Sequence, residues 1–174
     1  MRTITTNLYT FDELSEEAKR KAIEKLYDIN VDHDWWWCIY DDAEMIGCKI
    51  SGFDLDRRLI EFDNEKDVET VAQLVLKNHG IGADTNRLAD TYLHDRKNLV
   101  EKFSDGVKTD IVTEENEYDF DQECDDLDRE FINQLGERYL TMLRDDYEYH
   151  TSDEAIIETI KCNEYEFTQD GKIA

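Results

Sequence analysis

Between positions 114 and 148 the chain superimposes two patterns, and any fold it adopts must satisfy both. Phe120, Cys124, Leu127, Phe131, Leu135, Tyr139 and Met142 recur every three or four residues. At about 100° per residue that spacing is one continuous apolar stripe along a helix. The same segment holds 14 acidic residues against three basic ones, Arg129, Arg138 and Arg144, a net charge of −11. Glu115, Asp119, Glu123, Asp126 and Glu130 form a second row, read here as the face opposite the stripe. A helix built this way is anchored on one side and displays a ladder of carboxylates on the other. Helix neighbours three or four apart lie about 5–6 Å between Cβ atoms, and like charges there repel by a few tenths of a kcal/mol per pair. Burial of the stripe must offset that cost. Gly136 is expected to kink the helix, since Gly costs about 1 kcal/mol relative to Ala in a helix interior.

The acidity is not confined to this segment. Over all 174 residues, 44 acidic side chains face 20 basic ones, a net charge of −24. Such a balance excludes unaided binding to nucleic acid or to an anionic membrane surface, each of which needs a cationic face. A hydrophobic fraction of 40% and an aromatic fraction of 11% separate the chain from a disordered acidic tail. Proline is absent, the glycines are scattered and no solenoid period is visible, so one domain over residues 1–174 is expected. No apolar run approaches the roughly 20 residues of a membrane span. Residues 1–6 offer no apolar signal-peptide core, so a soluble cytoplasmic protein is expected.

The remaining patterns predict an α+β fold, predominantly helical with a small antiparallel sheet. Residues 4–9 are β-prone and form a first strand. Ser15 is placed to cap a helix over residues 16–30, with Glu16 and Glu17 in its first turn. A second helix is expected over residues 34–46, stopped by Gly47. A hairpin follows from residues 48–56 and 59–62, turning near Arg57 and Arg58. Val68, Val71, Ala72, Val75 and Leu76 mark a third helix ended by Gly80. Leu88, Tyr92, Leu99 and Phe103 mark a fourth, closed by Asp105 and Gly106. Thr151 and Glu154 make a capping box for a last helix. A terminal hairpin is expected from residues 165–167 and 172–173, turning through Asp170 and Gly171.

Motifs of catalysis are weak by comparison. Cys38, Cys48, Cys124 and Cys162 include no C-x-x-C pair, which excludes a zinc ribbon and predicts reduced thiols. Asp54 and Asp56 share the spacing of aspartate-nucleophile phosphatases, but Arg58 stands where those enzymes carry Thr or Val, and a hairpin follows. Asp12 with Glu17 and Lys19 has the residue types of a metal-dependent nuclease, on a helix rather than a strand. Asp119-Phe120-Asp121-Gln122-Glu123 starts like a calcium loop, yet Cys124 occupies the position that requires Gly. His33, His79, His94 and His150 show no paired spacing, and Gly80-Ile81-Gly82 lacks a third glycine. No catalytic residue, cofactor or metal site is expected. Trp35-Trp36-Trp37 sweep about 200° of a helix, so one indole should stay at an exposed edge, with Trp36 as a candidate apolar anchor.

The opening Tyr9-Thr10-Phe11-Asp12-Glu13-Leu14-Ser15-Glu16-Glu17-Ala18-Lys19-Arg20-Lys21-Ala22-Ile23 resembles that of a family of small acidic proteins carried by phages and prophages, loosely labelled antitoxin-like. The likeness continues through the Trp cluster, residues 50–56, residues 103–107 and Tyr165-Glu166-Phe167-Thr168. It implies a mobile-element context, in which small acidic proteins block host nucleases, CRISPR effectors or restriction complexes by filling their nucleic-acid grooves. The expectation is therefore a non-enzymatic inhibitor that mimics nucleic acid and binds a basic nucleic-acid-binding defence protein, with no direct nucleic-acid or membrane contact. Its partner-binding residues would be Glu115, Asp119, Glu123, Asp126, Glu130, Asp145 and Asp146, with Trp36. The alternatives are an antitoxin neutralising a cognate toxin, and a metal-dependent phosphohydrolase acting through Asp54 and Asp56.

Overall fold

A computed structural model describes the backbone of residues 7–108 and 114–174 and the side chains of residues 7–104 and 119–174. Within them, six α-helices and two antiparallel two-stranded sheets make an α+β, mostly helical fold. The chain divides into an end unit, from the residues up to Trp36 and from Arg144 onward, and a middle unit over Trp37–Leu143.

In the end unit, β1 (Tyr9–Thr10) pairs antiparallel with β4 (Glu166–Phe167), Tyr9 opposite Phe167. Residues 4–6 of the expected first strand lie outside the described residues. A single 3-10 turn, Phe11–Glu13, follows, its entry fixed where Thr10 N–H donates to Glu13 Oε2 at 2.8 Å. Ser15 caps α1 (Glu16–Lys25) as predicted, its Oγ accepting from Ala18 N–H at 3.3 Å. The helix stops five residues short of the expected end. Asp28, Asn30 and Asp32 favour local turns over helix, and Asn30 is committed to tertiary bonds: its Nδ2 donates to the His150 carbonyl at 3.0 Å and its Oδ1 accepts from Thr159 Oγ1 at 2.7 Å. The last helix, α6 (Asp153–Cys162), is capped by Ser152 rather than Thr151. Thr151 Oγ1 instead donates back to the Tyr147 carbonyl at 2.8 Å. Phe11, Leu14, Ala18, Ala22, Ile156, Ile160 and Phe167 bury together as this unit's core. The terminal hairpin forms through the Phe167–Ile173 bridge. Its turn lies hard against α1: a Cβ on Gly171, which has φ +81°, would stand 2.3 Å from the Ala18 carbonyl oxygen.

In the middle unit α2 (Trp37–Met45) ends before Gly47, whose φ of +78° supplies the left-handed stop that glycine permits. The hairpin β2 (Cys48–Asp54) and β3 (Leu59–Asn64) turns at Arg58, φ +56°, with a bulge between Ile50 and Gly52. Asp67 caps α3 (Val68–Asn78), its Oδ1 accepting from Thr70 N–H at 2.9 Å. The two long helices are α4 (Asp84–Lys108) and α5 (Glu114–His150), the latter within this unit as far as Leu143. They run antiparallel, as three pairs show: Tyr92 stacks on Phe131 at 4.5 Å, Phe103 on Phe120 at 4.3 Å, and Asp84 meets Arg138 at 3.7 Å. Helix α4 continues past the stop expected at Asp105 and Gly106. Ala43, Ile46, Val71, Val75, Leu135 and Tyr139 lie in the core. Gly136 is a packing residue: a Cβ there would meet Phe62 Cβ at 3.2 Å, so the glycine lets β3 approach α5, which passes that position as one continuous helix.

A polar network crosses this core. Tyr139 OH donates to Asp42 Oδ2 at 2.7 Å, and His79 Nδ1 stands 2.7 Å from Thr85 Oγ1. His79 Nε2 lies 3.4 Å from Asp42 Oδ2 but is poorly aligned for a hydrogen bond. The Asp42 carboxyl is held below its ordinary 3.8, first by His79 and then by the Tyr139 hydroxyl, with burial opposing both. Burial first, and then Asp42, push the Tyr139 phenol far upward, so it stays a donor.

Two outcomes follow from this packing. Gly171→Ala should destabilise by at least about 2 kcal/mol in urea unfolding, because the left-handed backbone and the Ala18 carbonyl both reject a Cβ. Because the folded-state value of Asp42 is depressed, its contribution is present above 3.8 and is lost as pH falls through the lower folded value. The stability difference between wild type and Asp42→Asn, measured by denaturant midpoints, should therefore shrink between about pH 5 and about pH 2.

Candidate partner-binding surface

Burial of the α5 stripe decides where its carboxylates point. Cys124, Phe131, Leu135 and Tyr139 are buried, and Phe120 and Leu127 half-buried, as the spacing predicts. The far end departs from expectation: Met142 is exposed and Leu143 buried, because the inward positions advance in steps of four from Leu135 through Tyr139 to Leu143. Burial raises the Cys124 thiol above its ordinary value, so it stays protonated, a small packing residue.

Asp119, Glu123, Asp126 and Glu130 are all exposed. Each precedes a stripe residue by one position, which places the row about 100° around the helix from the stripe. It is a flank, not the opposite face expected. The other flank, one position after the stripe, carries exposed Asp121 and Asp125 and half-buried Asp128. That second acidic row is absent from the sequence reading, although the same offset argument applied to residues 121, 125 and 128 finds it. The Glu115 side chain lies outside the described residues.

The chain's own cations answer only part of this charge. Arg129 Nη1 pairs with Asp126 Oδ1 at 2.8 Å, and Lys102 Nζ approaches Glu123 Oε2 to 3.8 Å. Asp128 receives Arg96 and, at 2.7 Å, the Tyr92 hydroxyl. Among the described residues Glu130 accepts from Gln134 Nε2, at 2.8 Å. Among the described residues no basic side chain pairs with Asp119, Asp121, Asp125 or Glu130. Exposed ion pairs contribute only about 0.2–1 kcal/mol and are screened by salt, so the paired positions remain open to competition from a partner's cations.

The other predicted positions fall elsewhere. Asp145, exposed, lies 3.4 Å from Arg144, and Asp146, half-buried, 3.6 Å from His150; both belong to the end unit with Trp36. Trp36 is half-buried and meets the buried Trp35 edge-on at 5.6 Å, while Trp35 also packs on Tyr147. The exposed indole is Trp37, at 59%. Since α2 begins only at Trp37, the trio does not wrap one helix as the sequence reading assumes.

Asp54 uses Oδ1 to accept from Arg57 N–H at 2.9 Å, which closes the β2–β3 turn, and Asp56 is exposed beside it. The calcium-like run at residues 119–124 is helical, so it cannot wrap an ion as a loop does. Thr85, His79 and Asp42 have the residue types of a hydrolytic relay, but Thr85 is only 1% exposed and no substrate can reach its hydroxyl. Among the described residues no three His, Cys, Asp or Glu side chains come together to hold a metal ion, and no helix is long and apolar enough to cross a membrane.

Compared with known proteins, the chain matches no family model, no curated protein and no solved structure.

Asp121 and Asp125 face each other at i, i+4, and among the described residues no cation pairs with either. Asp125→Asn should raise stability by a few tenths of a kcal/mol in urea unfolding at low salt, and the gain should fade in about 1 M NaCl. A loss of stability would mean that the fold uses this carboxylate.

Proposed function

We propose that this protein is a binding protein of the phage-inhibitor type, occupying the nucleic-acid groove of a basic host defence protein such as a CRISPR effector or a restriction nuclease. It would act in the host cytoplasm, without cofactor or metal, by presenting α5 in place of a polyanion. The observation that carries this reading is the α5 helix with exposed carboxylates on both flanks of its buried stripe. Seven acidic residues from Asp119 to Glu130 occupy about 16 Å of helix axis. That is one carboxylate per roughly 2.5 Å, between the ~3.4 Å of a single DNA strand and the ~1.7 Å of the duplex. Seated in a cationic groove, such a row would release the groove's counterions and be steered there by long-range attraction. The buried stripe fixes the row in advance, so little ordering entropy remains to be lost on binding. The mobile-element resemblance of the opening segment agrees with this role, but no residue-level activity comes with it.

Tagged protein incubated with host lysate should retain a basic nucleic-acid-binding protein, identified by mass spectrometry. Replacing Asp119, Glu123, Asp126 and Glu130 by Lys should abolish that retention while the helical circular dichroism signal persists. Affinity for the retained partner should fall by about tenfold or more between 50 and 200 mM salt. Retention that ignores salt, or survives the four reversals, would overturn the reading.

A further inference from the structure

On α4, Leu88, Tyr92 and Asp95 share one side of the helix, and on α5 Leu127, Glu130 and Phe131 do the same. Antiparallel packing turns these sets toward each other around an open cleft of about 150 Å³. Its floor is made by Tyr92 and Phe131, buried and stacked at 4.5 Å. Leu88 and Leu127 are only half-buried and leave apolar surface in the cleft. Asp95 and Glu130, one from each helix, are the exposed rim.

The charge on that rim is unanswered. Among the described residues no basic side chain pairs with Asp95 or Glu130, and the nearby Arg96 is engaged with Asp128 on the opposite flank of α5. An apolar floor with one carboxylate on each wall fits a ligand with an apolar stem and a cationic head. The volume accommodates one extended side chain and is too small for a helix. Arginine matches best: its methylene stem covers aliphatic surface, and its weakly hydrated planar fork can bond carboxylates on two sides, which a lysine ammonium does as a point charge only.

We propose that the α4–α5 cleft seats an arginine side chain of a basic protein partner. The inference rests on the partner-binding reading above and deepens it. The acidic flanks attract any polycation without choosing a register, whereas a seated arginine sets which residue of the partner lies against Glu130.

Hexa-arginine and hexa-lysine peptides serve as probes, titrated into the full chain at 50 mM salt by calorimetry. Hexa-arginine affinity should drop by about tenfold in Asp95→Asn/Glu130→Gln, and by less than about threefold in Asp121→Asn/Asp125→Asn, which removes equal charge elsewhere. Hexa-lysine should lose similar, smaller factors in both variants. In the unmodified chain, backbone amide shifts on adding hexa-arginine should be largest at Leu88, Asp95, Leu127 and Glu130. Equal losses in the two variants, or shifts spread evenly along α5, would overturn the cleft while leaving the acidic surface as the partner-binding site. Failure of the unmodified chain to bind hexa-arginine at all would overturn both.

Discussion

The surface of this molecule depends on the burial of Phe131, Leu135 and Tyr139 against the β2–β3 hairpin and the helices beside it. Each such side chain contributes about 1.5–3 kcal/mol on leaving water. Like charges at helical spacing cost only a few tenths of a kcal/mol per pair. Helix α5 can therefore be so acidic and still be a helix, because a handful of inward groups outweighs the repulsion among the outward ones. Gly136 belongs to the same balance, because its missing Cβ allows Phe62 to stack against Tyr139 at 5.1 Å.

The network of Asp42, Tyr139, His79 and Thr85 gives that packing a direction. Apolar contact alone would tolerate a small rotation of α5. A phenol that must reach one carboxylate oxygen does not, because leaving a buried hydroxyl without its partner costs about 1–3 kcal/mol. The rotation of α5 that the buried stripe sets is held further by the bond from Tyr139 to Asp42 on α2 and by the bond from Tyr92 on α4 to Asp128.

What could be read from the sequence was local. The Ser15 cap, the Gly47 stop, the turn at Arg58 and the inward positions of α5 as far as Tyr139 each follow from a few neighbouring residues and are present. What escaped was set by distance or by competition. Strands are expected near Tyr9 and at residues 165–167, but the pairing of β1 with β4 joins them across most of the chain, which no local pattern shows. Ser152 and Thr151 are both good caps, and only the bond from Thr151 to the Tyr147 carbonyl leaves the role to Ser152. Asp42 and Tyr139 lie 97 positions apart, so no spacing rule joins them. For the candidate surface, the carboxylate row was visible but its angle to the stripe was misplaced. The cleft beside Glu130 needed the register of α4 against α5, which neither helix carries alone.

The pairing of β1 with β4 also shapes how the chain is made. Tyr9 leaves the ribosome more than 150 residues before Phe167, its partner across the sheet. At about 5–20 residues per second that is a delay of roughly 8–30 s. Throughout it, the apolar side of α1 lacks the cover that Ile156, Ile160 and Phe167 supply, since those residues do not yet exist. The middle unit, by contrast, has its whole chain synthesised before the end unit can close. The end unit can therefore close only after the chain of the middle unit has been made, with Tyr9 waiting on a partner strand far downstream.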